Sequence, residues 1–237
     1  LRAPQSPGKM NLRHGLLALA TVLMLVDLYL MTMVAPTDAN LGHLQRVFYF
    51  HVPIAVLSFL AFFFVFIFSI VYLVNRKPIW DGLAHASAEV GVVFVTLALL
   101  TGVIWARPLW NTWWTWEPRL TTTLILWLIY VSYLMVRSYA PNRQKGALYG
   151  AVVGIVGFVD VPIVYYSVIW WRSIHPLPVV GPLASSGALP PIMLAVLLFS
   201  LVTFLALFIY LVAERMALWD AEERLRALRF TIRRAQG

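Results

Sequence analysis

The residues with chemistry to offer cluster in two places. The segment Trp110–Thr121 reads WNTWWTWEPRLT, with four tryptophans, one acid and one arginine between two long apolar runs. Trp110, Trp113, Trp114 and Glu117 recur at helical spacing, so three indoles would share a face if the segment were helical, and Trp116 adds a fourth ring. A broad indole surface with Arg107 and Arg119 at its edge suits a large, flat, anionic ligand. The same composition also makes the aromatic belt that membrane proteins place at headgroup level.

Histidines are the sharper signal. His51, in FYFHVP, and His175, in WWRSIHP, each border an apolar run and flank the tryptophan segment in sequence. Two neutral imidazoles approaching a porphyrin from opposite faces are one standard way to hold haem iron. A histidine at a helix N-terminus is kept neutral by the positive dipole end, which leaves a lone pair for metal. The competing role is hydrogen bonding to headgroups or loop carbonyls. His43 lies in a hydrophilic loop and reads as solvated. Arg107, Arg119 and Arg172 match the fork of a carboxylate, and each is equally suited to snorkelling toward lipid phosphates.

The elements that must position these residues follow from composition. Of 237 residues, 61% are hydrophobic and 12% charged, against about 25% charged in soluble domains. Mean hydropathy is +0.81. This is the composition of an all-α polytopic membrane protein. Runs near 15–35, 52–74, 88–106, 120–139, 147–169 and 189–213 are each long enough to cross about 30 Å of hydrocarbon, and in lipid such runs must be helices. Of the 18 Lys and Arg, only Arg46, Arg107, Arg119 and Arg172 fall on one side. The positive-inside rule then places both termini in the cytoplasm and the tryptophan segment outside. The same rule accounts for the net charge of +8 without nucleic acid.

Further features are expected along the chain. A short polar inner loop spans Asn75–Ala86. Pro53 fits the first turn of the second helix. Gly150, Gly154 and Gly157 form a face for close helix approach. Residues 214–237, with Leu218, Leu225, Leu228 and Ile232 at helical spacing, read as a cytoplasmic amphipathic helix following the 1–213 transmembrane domain. Asp27 and Asp160 are costly inside a membrane and so are functional candidates; Asp160 reads as a packing or site-support residue. No cleavable signal peptide is evident. With no cysteine, thiolate metal sites and covalent C-x-x-C-H haem attachment are excluded. There is no P-loop, no H-E-x-x-H and no G-x-S-x-G, so nothing points to hydrolytic or ATPase chemistry.

WNTWWTWEPRLT resembles the tryptophan-rich signature of the haem-handling proteins of cytochrome c biogenesis, W-G-x-x-W-x-W-D-x-R-L-T in the CcmC family. FYFHVP and WWRSIHP resemble that family's two histidine contexts, in the same order and loops. Asn111 stands where the family usually has glycine, and Glu117-Pro118 where an aspartate and a small residue are common.

The resemblance implies haem b held at the outer face of the bacterial inner membrane, with His51 and His175 as axial ligands. Trp110, Trp113, Trp114, Trp116, Arg107, Arg119 and Arg172 would line that site. It implies presentation of the haem to the periplasmic chaperone CcmE. It also implies work beside the ABC subunits CcmA and CcmB and the small membrane protein CcmD. The alternatives are a small-solute transporter, or a structural subunit of an ABC complex, whose tryptophans form only a belt.

Overall fold

Apolar runs of this length leave the backbone one way to satisfy itself in lipid. The computed structural model, which describes residues 7–38, 41–185, 187 and 189–236, is helical accordingly. The described residues contain no strand, only an isolated bridge between Asp38 and Gly42. The helices are α1 (Pro7–Tyr29), α2 (Phe48–Asn75), α3 (Pro78–Trp110), α4 (Pro118–Ser138), α5 (Arg143–Phe158), α6 (Asp160–Trp170) and α7 (Pro191–Gln236). Among the described residues they supply six segments long and apolar enough to cross a membrane, so the chain is a multi-pass membrane protein. Arg2, counted with the inner basic residues, lies outside the described residues.

Four local expectations change. The inner loop expected over Asn75–Ala86 shrinks to Arg76 and Lys77. Arg76 adopts a left-handed φ of 57° that caps α2, and Pro78 opens α3 at once, where its missing N–H costs nothing. Pro53 is not in the first turn: α2 begins at Phe48, so Pro53 lies inside the helix and is buried there. The fifth span is broken at Val159 into α5 and α6, because Pro162 has no N–H to give the Phe158 carbonyl. The tail beyond residue 213 is continuous with the sixth span as one 46-residue helix, and Leu218, Leu225, Leu228 and Ile232 are exposed on it.

Lipid tails are as apolar as leucine, so association of these helices rests on close packing and hydrogen bonds rather than on expulsion of water. α2 and α3 form the central antiparallel pair. α4, α5 and α6 pack on one side of it, α7 and α1 on the other. Phe62 of α2 stacks on Tyr130 of α4, with centroids 3.6 Å apart. The glycine face of α5 does bring helices close. A Cβ on Gly154 would sit 2.8 Å from Val65, and one on Gly157 would sit 2.5 Å from Ile129. Asp27 in α1 accepts a 2.8 Å hydrogen bond from Ser200 in α7, which fixes the outlying first helix. Asp160 starts α6 and is buried.

Candidate functional site

α3 ends at Trp110 because Asn111 turns left-handed, with φ 52°. Asparagine tolerates this region where most side chains do not, so the position usually held by glycine keeps its turn. Residues 111–117 are irregular, so the shared helical face expected for Trp110, Trp113 and Trp114 does not form. Glu117 then caps α4 by accepting from the Leu120 N–H at 2.9 Å, and Pro118 occupies the first helical position. The second departure from the family pattern is thus a well-formed helix start.

Glu117 also secures the segment that carries His175. Ser173 donates to the second Glu117 carboxylate oxygen, and the Ser173 hydroxyl accepts from the His175 N–H at 3.1 Å. Tyr165 of α6 pins the far end of that segment, donating to the Val180 carbonyl at 3.0 Å and accepting from the Leu183 N–H at 3.1 Å. The loop between α6 and α7 therefore closes over the ends of α3 and α4.

Beneath it is a cavity of about 330 Å³, within the range of about 300–1,000 Å³ usual for small-molecule sites. Its walls are overwhelmingly apolar and come from α2, α3, α4, α6 and the last outer loop. His51, Trp110, Trp114, Arg119 and His175 all line it. Trp113 and Trp116 do not; they are 58% and 75% exposed, and Trp116 leans edge-on against Trp114 at 5.7 Å. Arg107 is held outside, donating to the Asn111 backbone at 2.7 Å and stacking on Trp113 at 5.8 Å. Arg172 is exposed and lines no part of the cavity.

Trp105 and Trp114 both line the cavity, and their indole N–H groups are buried without a hydrogen-bond partner among the described residues. The Arg119 guanidinium in the wall is a donor fitted to a carboxylate. His51 packs edge-on to Trp105 at 5.8 Å, and His175 to Trp110 at 6.4 Å. The Nδ1 of His175 lies 3.0 Å from the Pro176 carbonyl and 3.3 Å from Arg119 Nη1. These contacts exclude one another, since a carbonyl only accepts and a guanidinium only donates. The shorter one makes Nδ1 the donor and leaves Nε2 with the lone pair. Two neutral imidazoles, apolar walls, indoles and a carboxylate-binding edge fit haem as a ligand.

Trp105, Thr101 and Tyr165 were not singled out by sequence. Trp105 and Thr101 lie within an apolar span, and the available signal was their four-residue spacing on one face of α3.

Burial, and next the positive charge of Arg119, lower the His175 pKa from its ordinary 6.5 to about 4. The folded protein therefore resists a proton that the unfolded chain accepts between those values. Stability contributed by this residue is complete above pH 6.5 and is lost as pH falls toward 4. The thermal midpoint of the haem-free protein should drop on acidification through that window, and the drop should be smaller in His175→Ala. Parallel curves for the two proteins would contradict the burial of this imidazole.

A family model described as Heme exporter protein C matches residues 8–231. The chain is 38% identical over 159 residues to the Heme exporter protein C of Bradyrhizobium diazoefficiens, covering 67% of this chain and 60% of that relative. It is 32% identical over 182 residues to the Heme exporter protein C of Escherichia coli, covering 77% of this chain and 73% of that one. A putative cytochrome c biosynthesis ccmC-like mitochondrial protein of Marchantia polymorpha is 32% identical over 148 residues, 62% of either chain. The chain thus spans only about 60% of the length of the Bradyrhizobium and Marchantia relatives.

Proposed function

The chain belongs to the Heme exporter protein C (CcmC) family, and from that premise we propose that it holds haem b as cargo in the outer cavity and hands it to the chaperone CcmE. Family membership carries a haem-handling role in cytochrome c biogenesis. The observation that supports the particular site is the convergence of His51, His175 and Arg119 on one apolar cavity.

In this reading His51 and His175 ligate the iron axially, and bis-histidine ligation favours a low-spin centre. Arg119 takes a propionate. Trp110 and Trp114 cover the macrocycle and keep water from it. Trp113 and Trp116, with Arg107 and Arg172, form an exposed aromatic and cationic rim, a surface suited to a docking chaperone. The site faces the periplasm, both termini are cytoplasmic, and the membrane is the bacterial inner membrane. CcmA and CcmB, with CcmD, supply the ATP-dependent step that this chain has no motif for.

The test is direct. Detergent-purified protein supplied with haem should show a low-spin optical spectrum and a b-type pyridine haemochrome, and should pass its haem to added CcmE. A protein that stays colourless after haem is supplied would return the tryptophans to a headgroup belt.

A further inference from the structure

We propose that Thr101 is a positioning residue for His51, fixing its tautomer and strengthening Nε2 as an iron donor; the inference rests on the haem-site reading above. His51 Nδ1 lies 2.8 Å from the Thr101 hydroxyl oxygen. That hydroxyl has a single hydrogen, and it is committed to the backbone of α3, with the Leu97 carbonyl at 2.7 Å and the Ala98 carbonyl at 3.2 Å. The carbonyl and imidazole contacts are satisfied together only when Thr101 accepts from the imidazole. His51 Nδ1 must carry the proton, and a neutral imidazole then has its lone pair on Nε2.

The rest of this α3 face holds the ring in place. A Cβ on Gly102 would stand 3.2 Å from His51 Cε1, so glycine is what lets the imidazole lie against the helix. Trp105, one turn on from Thr101, packs edge-on to the same ring. Thr101, Gly102 and Trp105 thus form a seat for an imidazole projecting from α2. A ligating histidine that donates its other N–H to a fixed acceptor is oriented and made more basic by it.

The two candidate ligands are unequal in this respect. His51 is bonded across to a neighbouring transmembrane helix. His175 donates to a carbonyl of its own loop, that of Pro176. His51 is seated against a neighbouring helix, and His175 is carried on an irregular segment.

The experiment compares wild type, Thr101→Val, Thr101→Ala, Thr101→Ser and His51→Ala. Valine matches threonine in shape but leaves the His51 Nδ1–H without its acceptor, so the haem-free variants should melt somewhat below wild type, and binding is compared at a temperature where all are folded. Ferric haem affinity, the low-spin electron paramagnetic resonance signal and the haem midpoint potential are then measured. Thr101→Val and Thr101→Ala should lose about tenfold or more in affinity. Their potential should rise, because a less basic imidazole stabilises ferric iron less. Thr101→Ser should restore wild-type values. Wild-type affinity and potential in both the valine and alanine variants, with His51→Ala impaired, would overturn the role of Thr101 and leave the haem site standing. An unchanged low-spin spectrum in His51→Ala would overturn the site reading itself, and the role of Thr101 with it.

Discussion

His51→Ala and His175→Ala should each convert the bound haem from a six-coordinate low-spin to a high-spin form, and the double variant should lose it. Loss of a hydrogen-bond partner behind a metal ligand typically costs about 10–100-fold in affinity. Removing the ligand itself must cost at least that much. The two single variants should differ in degree. His51 is seated against α3 by Thr101, Gly102 and Trp105, so its replacement removes a preorganised donor. His175 comes from an irregular segment held by Glu117, Ser173 and Tyr165, and its ring donates to the Pro176 carbonyl of its own loop rather than to a neighbouring helix. The larger loss is therefore expected for His51→Ala. Optical titration with ferric haem measures both. A double variant that binds haem with the wild-type spectrum would remove both residues from the ligand set while leaving the family assignment intact.

Asp81→Ala should destabilise the protein by about 3–5 kcal/mol, the cost of stranding one charge of a buried pair. Asp81 sits in the first turn of α3 and is 3% exposed. It accepts a 2.5 Å hydrogen bond from Arg137, whose side chain is 10% exposed, and lies 3.8 Å from Arg143. Arg137 is further enclosed by the Tyr133 ring at 5.5 Å and by Gly150, where a Cβ would fall 2.9 Å from its Nη1. Without the carboxylate, that guanidinium keeps its desolvation cost and loses its partner. Arg143 extends the network to α7, pairing with Glu223 and stacking on Trp219 at 4.4 Å, so α3, α4, α5 and α7 are joined at this end.

The double variant Asp81→Ala/Arg137→Met should recover much of the loss, because no unpaired charge remains. The fraction of protein still monodisperse after heating in detergent follows the effect. The haem spectrum at low temperature should be unaltered, since neither residue lines the outer cavity. Melting of Asp81→Ala at the wild-type temperature would mean that water reaches Arg137 at this end of the bundle.

The number and nature of the spans were legible in the sequence, because a helix in lipid satisfies its own backbone and needs only length and apolarity. The tryptophan segment and the two histidine contexts were legible too, being local patterns. What lay outside local pattern was direction. Whether Trp113 and Trp114 face together or apart depends on the left-handed turn at Asn111 and on the start of α4 at Pro118. Their separation into an exposed ring and a cavity wall is a matter of backbone geometry rather than spacing. Arg119 and Arg107 are equivalent in composition, yet only Arg119 is carried into the cavity, because it lies in the first turn of α4 beneath the His175 loop. The burial of Asp81 was equally out of reach: hydropathy reads a polar stretch as a loop, whereas Pro78 starts the helix there and Arg137 arrives from α4. Apolar length along the chain determined the six segments, among the described residues, that are able to cross a membrane. Only the packing of α2, α3, α4 and α6 decided which side chains meet, because a cavity is bounded by residues that are neighbours in space and distant in sequence.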